Sequence, residues 1–115
     1  MGVQRFEDLK VWQKAQDFSV IIYANFKNNK DFSFSDQIKR ASVSISNNIA
    51  EGFDRSSNLD FKRFLCISLA SNSETRSMLY LAVRLKFISD EIAEDLIEKS
   101  SEIAKMLSGL IKSLK

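Results

Sequence analysis

The stretch Ser44-Ile45-Ser46-Asn47-Asn48-Ile49-Ala50-Glu51-Gly52 decides how this chain folds. Ile38, Ala41, Ile45 and Ile49 recur at spacings of three and four, which places them on one face of a helix. Asn48 and Glu51 lie close to that face, and Gly52 stands where a left-handed C-cap glycine would end the helix. An asparagine beside an apolar stripe destabilises a fold unless it is hydrogen-bonded. Asn48 is therefore expected to fix a particular packing or to serve a function.

Outward from this helix, three more can be read. The first runs from Phe6 or Leu9 to Phe26, with Val11, Ala15, Phe18 and Ile22 spaced as in a coiled-coil seam, and Asn28-Asn29-Lys30-Asp31 breaks it as a polar loop. The second is expected to start at Ser35 as N-cap, with Ser33 and Asp36 as a competing capping box, and to end at Gly52. Ser57, with Asp60 three residues on, opens a third helix that reaches about Phe87. Ser89, followed by Asp90 and Glu91, caps a fourth helix carrying Ile92, Leu96, Ile103, Leu107, Leu110 and Leu114. Links this short make consecutive helices antiparallel neighbours. The expected fold is all-α, an antiparallel up-down four-helix bundle forming one domain over residues 1–115.

Composition agrees and removes several classes of chemistry. The chain has no Pro and three Gly, as long uninterrupted helices require. It has no His, the commonest general base and the commonest metal ligand. Its single Cys, Cys66, can form neither an internal disulfide nor a metal cluster, and beside Leu65 and Ile67 it reads as a small packing residue of a reduced compartment. Apolar runs are too short to span a membrane, and Met1-Gly2-Val3-Gln4-Arg5 carries no apolar leader core, so a cytoplasmic protein is expected. The net charge of +2 is small but uneven. Lys62, Arg63, Arg76, Arg84 and Lys86 dominate the third helix, and Asp90, Glu91, Glu94, Asp95, Glu98 and Glu102 the fourth.

Three linked motifs carry a resemblance. Phe6-Glu7-Asp8-Leu9-Lys10-Val11-Trp12-Gln13-Lys14-Ala15 comes first, then Gln37-Ile38-Lys39-Arg40-Ala41-Ser42 with Ser44 and Asn48-Ile49-Ala50-Glu51-Gly52, then Asp60-Phe61-Lys62-Arg63-Phe64-Leu65. Together they resemble the small four-helix-bundle proteins encoded in intervening sequences of bacterial 23S rRNA genes. The resemblance covers nearly the whole chain, and it implies a fold and a genomic setting rather than a defined activity. It also extends to the accessory proteins of diversity-generating retroelements, and it implies assembly as a cyclic homopentamer. Ser71 and Glu74 match a further family stretch, in which Ser68 and Ala70 replace the usual Ala and Gly. The structural signature implied is Gln37, Ser44, Asn48, Glu51, Gly52, Ser71 and Glu74.

Two readings of these residues compete. Glu51 and Glu74 could face each other as a carboxylate pair, but carboxylate metal bundles also use Glu-x-x-His motifs, and His is absent. The expectation is therefore no catalytic residue, no metal site and no cofactor, with both carboxylates accepting hydrogen bonds that fix helix register. On the third helix, Ser68, Ser71, Asn72 and Thr75 occupy a face where a bundle ordinarily carries Leu or Ile, as close packing with cross-helix hydrogen bonds requires. The best candidate binding surface is Lys39, Arg40, Arg55, Lys62 and Arg63, interspersed with Phe53, Phe61 and Phe64. It would hold RNA or DNA on a basic rim. The alternative is a structural module that docks another protein and touches no nucleic acid. Surplus apolar residues, among them Trp12, Tyr23, Leu79, Tyr80 and Phe87, favour a homo-oligomer under either reading.

Overall fold

A computed structural model describes residues 2–115, so Met1, counted in the expected domain and in the stretch searched for a leader, lies outside the described residues. A single 3-10 turn, Phe6–Asp8, leads into four helices: α1 (Lys10–Phe26), α2 (Phe32–Phe53), α3 (Asn58–Arg84) and α4 (Asp90–Ser113). Cross-helix hydrogen bonds fix their directions. Gln37 meets Glu74, Ser44 meets Ser71 and Ser68 meets Ile45, so residue numbers fall along α3 as they rise along α2. Gln16 with Ser46 relates α1 to α2 in the same antiparallel sense, and Asn72 with Ser100 does so for α3 and α4. The bundle measures 43 × 22 × 20 Å. Its core follows the predicted stripes at Phe18, Ile22, Ile38, Ile45, Ile49, Leu96, Ile103 and Leu107, all buried. Leu65 is buried with them, and so is Leu79, which is therefore core rather than one of the surplus apolar residues expected at an interface.

The polar face of α3 lies in that core. Ser68, Asn72 and Thr75 are buried, and each is satisfied. Ser68 Oγ donates to the Ile45 carbonyl at 2.7 Å. Asn72 Nδ2 donates to the Ser100 carbonyl at 2.9 Å, and Ser100 Oγ returns a bond to Asn72 Oδ1 at 2.9 Å. Ser100 completes this reciprocal pair from α4, where its sequence context gives no signal. Each bond contributes about 1 kcal/mol net, but an orphaned member would cost about 1–3 kcal/mol. Register is what the arrangement secures.

Several boundaries and roles differ from expectation. Gly52 does not adopt a left-handed conformation; it lies inside α2, which ends at Phe53. A Cβ there would sit 2.5 Å from Phe64 Cβ, so the glycine serves the close approach of α2 and α3. The start of α2 is Asp31, not Ser35: Asp31 Oδ1 accepts from Phe34 N at 3.0 Å. Phe34 is buried against Phe26 and Phe87, and seating it there requires the helix to begin a turn early. Ser35 is buried instead and donates to the Phe26 carbonyl at 3.1 Å.

The end of α3 comes at Arg84, short of Phe87, because Lys86 adopts φ 61°. Bonds from Lys86 N to Val83 O and from Phe87 N to Ala82 O close a Schellman motif without a glycine. Cys66 and Ala70 are exposed, so neither spaces helices within the bundle.

Candidate nucleic-acid interface

The antiparallel order brings the end of α2, the start of α3, the end of α4 and the segment before α1 to one end of the bundle. Ser57 accepts from Asp60 N at 3.2 Å and starts α3 there, and Arg55 stands in the preceding turn. The Arg55 guanidinium lies 4.7 Å from the centroid of the half-buried Phe64 ring. Lys62 and Arg63 follow within the first two turns of α3, and Arg63 makes a loose pair with Asp60 at 3.7 Å.

Two further cations reach this end that sequence proximity does not suggest. Asn58 Nδ2 donates to the Lys115 carbonyl at 3.3 Å, which sets Lys115 beside the α2–α3 turn, with Lys112 in the last turn of α4 at the same end of the bundle. A signal for them exists in the topology, because an up-down bundle must return the end of its fourth helix to the start of its third. Among the described residues Arg55, Lys62, Lys112 and Lys115 make no ion pair.

Lys39 and Arg40 do not join this cluster. They precede Arg55 by about fifteen residues, almost all helical, which is roughly 20 Å along α2. Lys39 Nζ lies 5.2 Å from the centroid of the Tyr23 ring, and Arg40 Nε pairs with Asp36 at 2.9 Å. The five expected cations therefore form two separate groups. Lys39 and Arg40 belong to the middle of α2, about four turns from the α2–α3 turn, so they are not part of the single basic rim expected of the five.

The signature residues divide as well. Gln37 Nε2 donates to Glu74 Oε2 at 3.3 Å, and the Ser44 and Ser71 hydroxyls lie 2.8 Å apart. Asn48 Nδ2 donates to the Ser44 carbonyl at 2.8 Å and to Ser44 Oγ at 2.9 Å. The Gln37–Glu74 and Ser44–Ser71 bonds rivet α2 to α3, whereas Asn48 bonds only within α2, to Ser44, the residue that reaches Ser71. Glu51 is exposed and without a hydrogen-bond partner among the described residues, lining an open groove with Tyr23, Arg40 and Asn48. Glu74, beside Gln37, is thus about 20 Å along the bundle from Glu51, too far for the two carboxylates to share an ion or a proton.

The family whose pattern matches this sequence is described as 23S rRNA-intervening sequence protein, and the match covers residues 7–109. The chain belongs to this family. A solved relative agrees: a protein of unknown function from the S23 ribosomal protein family of Bacteroides thetaiotaomicron is 36% identical, with a TM-score of 0.83. That likeness covers 89% of this chain and 98% of the relative. No curated protein matches the chain. Among the described residues no helix is long and apolar enough to cross a membrane. For this family member, four helices and a riveted α2–α3 seam are thus the frame on which the basic end is mounted.

Proposed function

We propose that this protein is a non-enzymatic, homo-oligomeric helical bundle of the cytoplasm that binds RNA or other nucleic acid through its basic end. One observation carries the reading: Arg55, Lys62, Lys112 and Lys115 sit at one end of the bundle without carboxylate partners, next to partly buried Phe53 and Phe64. Unpaired cations near aromatic faces suit a phosphate backbone with accessible bases. Replacing Arg55, Lys62 and Arg63 together by Ala should weaken RNA binding by tenfold or more while leaving helicity unchanged. The slope of log affinity against log salt should fall by about 0.7–0.9 for each phosphate that is no longer neutralised. No affinity for RNA even at low salt would end this reading.

Exposed apolar side chains favour self-association and keep open the rival of a protein-docking module. Ile67, Tyr80, Leu81 and Leu85 are 45–58% exposed along α3 and the turn that follows it. Leu81 and Leu85, one turn apart, form an apolar strip of the kind that marks contact surfaces, whereas Ile67 lies about 20 Å away along α3. The resemblance supplies a pentamer, so sedimentation at micromolar concentration should give one species near five times the 13.1 kDa subunit mass. A sharp monomer would remove the oligomer. Partner binding that ignores added salt would favour the docking module.

A further inference from the structure

A crevice opens at the same basic end. Its floor is apolar: Phe61 and Leu114 are buried there, and the half-buried Phe53 meets Phe61 edge to face at 5.7 Å between ring centroids. Its mouth is polar and exposed, formed by Arg55, Ser56 and Asn58. Asn58 Nδ2 is engaged with the Lys115 carbonyl, but Asn58 Oδ1 and the Ser56 hydroxyl have no partner among the described residues.

We propose that this crevice receives one unpaired base of a single-stranded nucleic acid, with Arg55, Lys112 and Lys115 holding the flanking phosphates. The inference rests on the nucleic-acid reading above and names the form of ligand that the site takes. With Phe61 buried, the half-buried Phe53 is the ring left for a base to stack on, and stacking of this kind suits any base. At the mouth, a free amide oxygen and a free hydroxyl can meet the polar edge of a base or a ribose 2′-hydroxyl. A paired base, stacked on both faces inside a duplex, cannot enter without being flipped out. The site should therefore discriminate by strandedness, which a bare patch of cations does not.

The experiment compares one sequence as single-stranded RNA, single-stranded DNA and RNA duplex, each labelled and titrated with the intact protein at fixed salt. The single-stranded RNA is expected to bind about tenfold or more tighter than the duplex, in keeping with one stacked base. A 2-aminopurine placed within the strand should change its emission on binding. Phe53→Leu keeps apolar volume but removes the ring, and should bring single strand and duplex to near parity with the salt slope unchanged. Asn58→Ala, at an exposed position, is the second variant, and should reduce the preference about threefold even if Phe53→Leu does not fold. Equal, salt-sensitive binding of single strand and duplex would overturn the base pocket while leaving the basic end as a phosphate site. A preference that survives both variants would also overturn it. Absence of binding to all three ligands at low salt would remove the nucleic-acid reading itself. Single-stranded DNA matching RNA would support the pocket and assign the mouth to the base edge.

Discussion

At Gly52 the missing side chain matters more than any side chain near it. A Cβ would meet Phe64 Cβ at 2.5 Å and the Phe61 carbonyl oxygen at 3.3 Å, and neither atom can move aside by a rotamer change. Gly52→Ala should gain up to about 1 kcal/mol in helix propensity and lose about 1–3 kcal/mol to overpacking, so net destabilisation is expected in urea melts. Gly109 is the control, since a Cβ there meets nothing within 4 Å. Gly109→Ala should stabilise by about 0.5–1 kcal/mol. Equal signs for the two variants would refute the packing account. The sequence pattern singles out Gly52 but assigns it to a cap, because a cap and a close helix approach both call for glycine. Asn48 is hydrogen-bonded to Ser44 within its own helix, whereas exposed Glu51, expected to accept a bond that fixes register, has no partner among the described residues.

Helix ends are legible where the cap is local. Ser57 and Ser89 accept from Asp60 N and Ile92 N, each at 3.2 Å and each three residues on. The start of α2 departs from its local signals because tertiary burial of Phe34 selects Asp31 over the nearer serines. The end of α3 departs from them because a lysine occupies the left-handed position that glycine ordinarily fills. A side chain at that φ of 61° is strained by about 1–2 kcal/mol. Lys86→Gly should therefore raise stability, by about 0.5–1 kcal/mol after the added freedom of the unfolded chain is offset. A lower thermal midpoint for this variant would show that the lysine makes an interaction worth more than its strain.

Across the bundle, α1 and α4 pack less extensively than the other adjacent helix pairs, and Lys14 Nζ spans their seam to Glu102 Oε1 at 2.8 Å. The hydrogen bond from Lys14, and then its charge, hold the Glu102 carboxyl below its ordinary value of 4.5. The same bond and charge raise the Lys14 ammonium above 10.5. The carboxylate's contribution is present above its unfolded pKa and lost as pH falls through the lowered folded value. The ammonium's contribution is present below its unfolded pKa and lost as pH rises through the raised folded value. Glu102→Gln should thus lower the thermal midpoint slightly and evenly between about pH 5.5 and 9.5, with the difference closing as pH falls through the lowered carboxyl value. Both groups are exposed, so added salt should shrink the effect. A deficit that persists at acid pH would assign the loss to packing.

Four helices, their order and the apolar stripes of the core can all be read from the chain before it folds. They follow from side-chain period and local capping, which act within a few residues. The polar face of α3 is legible for a related reason, since serine and asparagine at core spacing have to find partners. Who those partners are is settled by helix packing: Ser100 for Asn72, Ile45 for Ser68, and Ser71 for Ser44. Packing likewise separates Lys39 and Arg40 from the basic end and brings Lys112 and Lys115 to it. Distance along a chain says little about distance in space once helices reverse direction. A site drawn from several helices is set by how they stack, and stacking is a property of the whole bundle.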